Sequence, residues 1–164
     1  MYKIGFAKDI HRLVKNRKLI LGGVLIPFDL GEEAHSDGDV VFHALSEAIL
    51  GALALGDLGS FYPDNDNKYL NIDSSYFVND VYSKMDNLGF MVSNIDISIS
   101  LEKPKLKDYL IKMRQNISQL LNVNCNCVSI KAMSNEKLDA VGKSEAVEAY
   151  CIVLLKQKNN KDFN

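Results

Sequence analysis

A long apolar run at residues 40–55 is the strongest pattern in the chain. It contains no proline and is followed by Gly56, a combination that is typical of a buried helix and its stop. Asp37 or Asp39 stands where the N-cap residue of that helix is expected. The pattern therefore predicts a central helix that is preceded by acidic residues.

Apolar residues at helical or alternating spacing predict the other elements. Two more helices are expected, at residues 75–87 and 104–121. Five strands are expected, at residues 2–13, 18–27, 94–101, 128–134 and 146–156, and a turn at 14–17 joins the first two as an antiparallel hairpin. Together these elements predict a single α+β domain over residues 1–157, with a mixed sheet packed on one side by helices, and a polar tail at residues 158–164.

Charge and hydropathy argue against two classes of partner. The 164 residues carry a net charge of −2, so no basic surface for nucleic acid is expected. No apolar stretch reaches the ~20 residues that a membrane-spanning helix needs, so we expect a cytoplasmic protein with no membrane partner. Cys125, Cys127 and Cys151 lack metal-site spacing and are expected to be ordinary core residues.

Three residues from two elements have the chemistry of a metal site. On a strand, Asp9 and His11 point to the same face, because strand side chains repeat every second residue. A lone histidine on a helix is more often structural, but His43 on the central helix can complete a three-ligand zinc site with an open fourth position. Glu47, four residues later, either orients the His43 ring or is a solvated helix acid.

A second polar group follows the strand predicted at residues 128–134. Ser134 and Asn135 offer hydrogen-bond donors, and Glu136 can hold a hard cation such as Mg²⁺, a combination that suits a bound phosphate. Taken alone, a charged turn explains this segment better. A helix start with solvated lysines explains residues 102–107 equally simply.

Several segments resemble the 2-C-methyl-D-erythritol 2,4-cyclodiphosphate synthase family, in the same order along nearly the whole chain. The most specific one is AHSDGDVVFHAL at residues 34–45. The supporting segments are Asp9-Ile10-His11, Gly22-Gly23-Val24 with Ile26-Pro27, LGALALGDLG at 50–59, Tyr62-Pro63-Asp64-Asn65-Asp66, Pro104-Lys105, Lys131-Ala132, Glu136-Lys137-Leu138 and the turn at 142–145.

The resemblance implies a homotrimer whose sheets face a central axis, with active sites between neighbouring subunits. It implies zinc on Asp9, His11 and His43, and Mg²⁺ (or Mn²⁺) on Glu136 with the substrate diphosphate. The family reaction converts 4-diphosphocytidyl-2-C-methyl-D-erythritol 2-phosphate to the cyclic diphosphate and CMP. It is a metal-assisted phosphoryl transfer within one substrate molecule, in the non-mevalonate route to isoprenoids.

The resemblance also assigns individual residues to catalysis and to the substrate. The implied catalytic residues are His35 and Ser134. The implied substrate contacts are Asp9, His11, His35, Ser36, Asp57, Leu58, Gly59, Tyr62, Pro63, Asp64, Asn65, Asp66, Leu101, Lys105, Leu106, Met133, Ser134, Asn135, Glu136 and Lys143. Among them, His35 and Ser36 would hold the methylerythritol phosphate, and residues 101–106 the cytosine.

The chain departs from the family pattern at four places. Phe6-Ala7-Lys8 replaces His-Gly-Phe, Met133-Ser134 replaces a Thr-Thr pair, Asp139-Ala140 replaces a Gly-Phe pair, and Lys143 replaces an arginine. The resemblance implies that the first and last changes, which bring in Lys8 and Lys143, lie where the family lines its axial cavity. Lysine ammonium groups are therefore expected there, and Glu145 is expected to offset part of their positive charge. Two other functions stay open: a zinc-dependent phosphoesterase that uses water as nucleophile, and an assembly module whose zinc is structural.

Overall fold

Residues 1–158 are described by a computed structural model of the chain. Its strands are β1 (Tyr2–Lys15), β2 (Leu19–Leu21), β3 (Val24–Ile26), β4 (Leu30–Glu33), β5 (Phe90–Ser100), β6 (Val128–Met133) and β7 (Ala146–Gln157). Its α-helices are α1 (Val40–Leu53), α2 (Leu58–Phe61), α3 (Ser75–Asn87), α4 (Leu110–Leu120) and α5 (Asp139–Gly142). Short 3₁₀ helices lie at Asn67–Tyr69 and Cys125–Cys127.

One mixed sheet organises this part of the chain, as the sequence predicted. Its strand order is β4-β1-β7-β5-β6; β5 and β6 run parallel, and the other neighbours run antiparallel. The inner face buries Ile97, Ala149 and Cys151 under α1, while the other face exposes Tyr2, Ile4, Phe6 and Ile152. The α+β prediction with helices on one side is therefore confirmed. The tail beyond residue 158 lies outside the described residues.

The predicted pairing of residues 2–13 with 18–27 is wrong. Strand β1 pairs with β4 and β7, and residues 19–26 fold back on themselves as the separate β2–β3 hairpin. The turn of that hairpin is Gly22-Gly23, where both residues have positive φ (56° and 70°), a conformation that costs glycine little. The amides of Gly22 and Gly23 donate to the carboxylate of Asp39, 2.9 and 2.6 Å away. These bonds hold the hairpin against the start of α1.

The helix boundaries differ from the prediction mainly at α4. The prediction for α3 matches its bounds, and α1 begins after the N-cap Asp39. Helix α4 begins at Leu110 rather than at Pro104, because the segment before it turns and buries Leu106. Strand β4 and helices α2 and α5 have only four residues each, too few for a periodic signal.

Strand β1 and helix α1 approach each other at residues with very small side chains. A Cβ atom placed on Gly5 would lie 1.9 Å from the carbonyl oxygen of Ala48 and 2.9 Å from the Cβ of Ala52. The helix therefore rests directly on the strand backbone. This contact sets the spacing between the two elements that carry Asp9, His11 and His43.

Among the described residues, no helix has both the length and the apolar character needed to cross a bilayer.

Candidate metal site and substrate cleft

Asp9, His11 and His43 converge as predicted, because β1 and the first turn of α1 pack against each other. The Oδ2 atom of Asp9 lies 3.1 Å from His11 Nε2 and 3.2 Å from His43 Nδ1. The two ring nitrogens are 3.3 Å apart. One donor atom from each residue thus falls within 4.8 Å of the others, a spacing that can hold a metal ion.

The donor set and its electrostatics suit a divalent metal. Burial alone would raise the pKa of Asp9, but hydrogen bonds from His11 and His43 hold it well below its usual value. Burial alone would lower the pKa of His11, but its bonds to Asp9 and Glu32 raise it to about 10. Three half-buried groups that share a proton form a site where a cation can take the place of that proton.

The His43 ring is fixed by hydroxyl groups on its far side. Its Nε2 lies 3.1 Å from Ser36 Oγ and 3.0 Å from Ser74 Oγ, and the Ser74 hydroxyl donates to Asp37 Oδ1. With Nε2 as the donor to these hydroxyls, Nδ1 is the nitrogen that faces Asp9 and His11 and that can give up its hydrogen to bind a metal. The predicted role of Glu47 as the orienting group is wrong, because its Oε2 accepts from the amide of Leu58 at 2.7 Å.

A cavity of about 270 Å³ opens beside the three donors. It is lined by His35 and Ser36 of the AHSDGD segment and by Tyr62, Asp64, Tyr69 and Phe77. His35 does not join the metal donors; its Nε2 contacts the carbonyl oxygen of Asp66 at 3.0 Å. The Tyr62 and Phe77 rings pack 4.8 Å apart, and the Tyr62 hydroxyl donates to Asp80.

The other residues predicted at this end of the site belong to α2 and its flanking positions, and of these Leu58 lines the cavity. Asp57 caps α2, its Oδ1 accepting from the Ser60 amide at 2.8 Å, and Leu58 lines the cavity between α2 and the metal donors. Gly59 is exposed within α2. Pro63, Asn65 and Asp66 are exposed in the loop that follows α2. These positions leave side chains and backbone open to a ligand.

A second cavity, of about 310 Å³, joins the two segments for which the resemblance implies nucleotide contacts. It is lined by Leu101, Lys105 and Leu106 on one side and by Met133 and Ser134 on the other. The Ser134 hydroxyl donates to Glu136 Oε1 at 2.8 Å, and Asn135 Nδ2 donates to Asp139 Oδ2 at 3.0 Å. The sequence interpretation of this segment as a plain charged turn does not explain the cavity.

The backbone around Glu136 adopts an uncommon conformation. Glu136, Lys137 and Asp139 have φ values of 51°, 65° and 56°. Non-glycine residues with positive φ are uncommon, and they cluster at functional sites. At Asp139, where the family has glycine, the side-chain oxygen accepts from the amides of Val141 and Gly142 and so helps to support that conformation. Lys143 is exposed at the end of α5.

The two cavities do not meet within one chain. Asp9 pairs with Ala149, Ala149 with Ile99, and Ile99 with Ala132, so three strand spacings separate β1 from β6. At ~4.8 Å per spacing this separation is roughly 14 Å. A ligand that used the metal donors and residues 133–136 together would need the second set from another source.

Lys8 is paired rather than free. Its Nζ lies 2.9 Å from Glu148 Oε1 and over the Tyr150 ring, and the Tyr150 hydroxyl donates to Glu148. The hydrogen bond to Glu148 raises the pKa of Lys8. Glu148, across the strand pair, therefore offsets the charge of Lys8, and the expected contribution of Glu145, two residues after Lys143, stays a prediction.

Sequence reasoning missed the groups behind the metal donors: Glu32, Asp37, Gly38 and Ser74. Glu32 Oε2 and the Gly38 carbonyl oxygen lie 2.8 and 2.7 Å from His11 Nδ1. The only sequence signal was the acidic residue itself, and its neighbour Glu33 carries the same signal but is exposed. Ser74 comes from the start of α3, and no spacing rule connects it to His43.

The fold and the site together define a class of protein: a single α+β domain in which a strand and the helix above it bring an aspartate and two histidines to a spacing that can hold a metal ion. The chain belongs to the YgbB family, whose model matches residues 2–156. This match confirms the family resemblance seen in the sequence. The 2-C-methyl-D-erythritol 2,4-cyclodiphosphate synthase of Brachyspira hyodysenteriae is 49% identical over 155 residues, which cover 94% of this chain and 98% of that protein.

Solved structures give the same result. The bifunctional IspDF of Campylobacter jejuni matches with a TM-score of 0.93 and 40% identity, covering 97% of this chain and 43% of that longer chain. The CDP complex of Plasmodium falciparum IspF matches with a TM-score of 0.85 and 31% identity, covering 96% and 97% of the two chains.

Proposed function

We propose that this chain is a 2-C-methyl-D-erythritol 2,4-cyclodiphosphate synthase, a phosphorus–oxygen lyase that closes its substrate's phosphates into a ring and releases CMP. One observation carries the proposal: three converging donors open onto the His35–Ser36 cavity, in a chain 49% identical to such a synthase. The proposal places the enzyme in the non-mevalonate isoprenoid pathway, in the cytoplasm.

Zinc is the metal that we assign to Asp9, His11 and His43, because two imidazoles and one carboxylate with an open position are typical ligands of catalytic zinc. Glu136 is assigned to Mg²⁺ or Mn²⁺ held with the substrate diphosphate, because hard cations prefer oxygen ligands. Bound there, the two cations would polarise a phosphate and neutralise charge on the departing nucleotide.

The chain's own residues then have to hold one anionic substrate in line. The attacking group is a phosphate oxygen that is already ionised, so no strong general base is required. His35 and Ser36 are proposed to hold this phosphate, Asp64 the erythritol hydroxyls, and Asp57 and Gly59 the ribose. Because nucleophile and leaving group belong to one molecule, positioning supplies a large part of the acceleration.

The nucleotide is assigned to the second cavity. Leu101 to Leu106 would bind the cytosine, and Met133 to Glu136 the diphosphate, with the Ser134 hydroxyl as a catalytic donor. The lining of this cavity by residues of both segments supports the assignment, and the CDP complex of Plasmodium falciparum IspF supports a cytidine nucleotide as the ligand. Lys143 is assigned to a phosphate as well, as a point charge.

A homotrimer is proposed because one chain keeps the two cavities apart. The separation of three strand spacings, and the exposed apolar face with Tyr2, Ile4 and Phe6, both support a partner copy that packs on this face and supplies residues 133–136. An apolar patch of this kind is unusual on a monomer surface.

Product analysis tests the function directly. The purified protein is incubated with the cytidyl diphosphate substrate, Zn²⁺ and Mg²⁺, and the products are separated and followed by ³¹P NMR. We expect the cyclic diphosphate and CMP in equal amounts, and neither from a His43→Ala variant. CMP together with the open 2,4-bisphosphate would instead favour the phosphoesterase alternative, in which water is the nucleophile.

A further inference from the structure

Glu32 is a fully buried acid whose presence the substrate contacts do not explain. It lies on β4 with 0% of its surface exposed. Its Oε2 lies 2.8 Å from His11 Nδ1 and accepts from the amide of Val40 at 3.1 Å. Its Oε1 is buried and has no hydrogen-bond partner within residues 1–158.

Such a group costs stability unless something compensates for its burial. A polar atom that is buried without a partner costs about 1–3 kcal/mol, and more when it is charged. A leucine of similar size would fill the same space without this cost. Because Oε1 has no partner, the compensating contact must be made by the other oxygen, Oε2. That oxygen faces His11, one of the proposed metal ligands.

The contact fixes both the orientation and the tautomer of His11. The ring nitrogen Nδ1 faces two acceptors, Glu32 Oε2 and the Gly38 carbonyl oxygen, so it must carry the hydrogen. The other nitrogen, Nε2, then faces Asp9 Oδ2 at 3.1 Å and the shared donor cluster, so that its lone pair becomes available to a metal when Nε2 releases its proton. A neutral imidazole with a free Nε2 lone pair is the form that binds a metal.

The position of Glu32 is itself held by its surroundings. The Arg17 guanidinium donates to the carbonyl oxygens of Glu32 at 3.0 Å and of Ser36 at 2.8 Å. Gly38 packs so closely that a Cβ on it would lie 2.8 Å from Glu32 Cβ. The side chain therefore has little freedom to leave His11.

We propose that Glu32 is a positioning residue for the metal: its carboxylate holds His11 in the metal-binding orientation and strengthens Nε2 as a ligand. The inference rests on the proposed binding of zinc by Asp9, His11 and His43, and it adds a second layer that neither the family pattern nor the spacing assigns. Removing such an outer partner typically weakens metal binding 10–100-fold.

The test compares zinc affinity with the stability of the metal-free protein. Glu32→Leu removes the acceptor, Glu32→Gln keeps a carbonyl oxygen near Nδ1, and Glu33→Leu is the matched control, because the neighbouring Glu33 side chain is 63% exposed. Zinc dissociation constants are measured by competition with a chromogenic chelator. Visible absorption of Co²⁺-loaded protein reports the ligand geometry, and thermal unfolding after chelation reports the fold.

We expect Glu32→Leu to bind zinc 10–100-fold more weakly and to shift the Co²⁺ bands, while its metal-free unfolding temperature stays equal or rises. Glu32→Gln should fall between it and the wild type, and Glu33→Leu should match the wild type. Wild-type zinc affinity in both Glu32 variants overturns the inference, as does a loss that only follows a fall in metal-free stability. A wild-type protein that binds no zinc overturns the metal assignment itself.

Discussion

Tyr62 donates its hydroxyl hydrogen to the carboxylate of Asp80, which ties the loop after α2 to helix α3. Burial of Tyr62, helped by the neighbouring Asp80, raises the pKa of its phenol. The same carboxylate accepts from Lys84 at 2.7 Å. This bond joins a wall of the cavity to a surface helix, and it holds the loop that carries Asp64 together with the packing of Tyr62 on Phe77.

Tyr62→Phe should loosen this loop without removing the ring from the cavity. A hydrogen bond to a charged group contributes about 1.5–3 kcal/mol, so we expect KM to rise roughly tenfold with kcat little changed. Steady-state kinetics check this. Asp80→Asn, which keeps an acceptor, is the control. Kinetics for Tyr62→Phe equal to the wild type would show that the loop is ordered by other contacts.

His43→Ala and His35→Ala should separate metal binding from substrate binding. His43 Nδ1 faces Asp9, while His35 Nε2 contacts the carbonyl oxygen of Asp66 instead of the metal donors. After dialysis, elemental analysis should find about one zinc per chain in His35→Ala and far less in His43→Ala. Both variants should lose turnover. Full zinc content in His43→Ala would contradict the assignment of the three ligands.

Two inactive variants should complement each other if the active site lies between subunits. His43→Ala removes one of the metal donors, and Glu136→Ala alters the segment assigned to the nucleotide. The metal donors lie beside β1 and Glu136 follows β6, and these two strands are not neighbours in the sheet. When equal amounts of the two variants are mixed at random, some active sites should combine intact metal donors from one chain with an intact nucleotide segment from another. Activity after dissociation and reassembly should exceed that of either parent. No recovery in trimers verified as mixed by mass spectrometry would argue for a site within one chain.

Zinc affinity should rise with pH. In the metal-free protein, hydrogen bonds to Asp9 and Glu32 raise the pKa of His11 to about 10, so the site holds a proton at neutral pH. Zinc must displace that proton, so its dissociation constant should fall by about tenfold per pH unit below pH 10. Calorimetry in buffers of different ionisation enthalpy should count about one released proton. Binding without proton release would mean that His11 is already neutral.

Asp39→Ala should destabilise the fold strongly. Its carboxylate caps α1 through Val41 and Phe42 and also accepts the amides of Gly22 and Gly23, all in a buried position. Losing the cap and leaving amides unpaired should lower the unfolding free energy by about 2–4 kcal/mol. Urea denaturation measures this. Asn124→Ala, at an exposed cap, should cost under about 1 kcal/mol.

The sequence predicted the elements in which apolar residues repeat at a regular spacing. It did not predict contacts between residues that are far apart along the chain. Helices α1 and α3 and strands β5 to β7 carry periodic apolar residues, so their approximate positions were predictable. Asp9 and His11 share a strand face, and only the resemblance linked them firmly to His43. Glu32 and Ser74 were missed because both reach the histidines through tertiary packing. The β2–β3 hairpin was wrongly predicted because the group that holds its turn is the carboxylate of Asp39, which lies eighteen residues from Leu21 in the sequence.

The absent side chain of Gly5 has a consequence beyond its own position. One half of the metal site is carried by a strand and the other by a helix, and their separation is fixed where Gly5 meets Ala48 and Ala52. A single methyl group there would have to push the two elements apart, drawing His43 away from Asp9. The geometry of the proposed metal site is therefore encoded partly in residues that carry no functional group, and a search for inactivating substitutions confined to the ligands would overlook them.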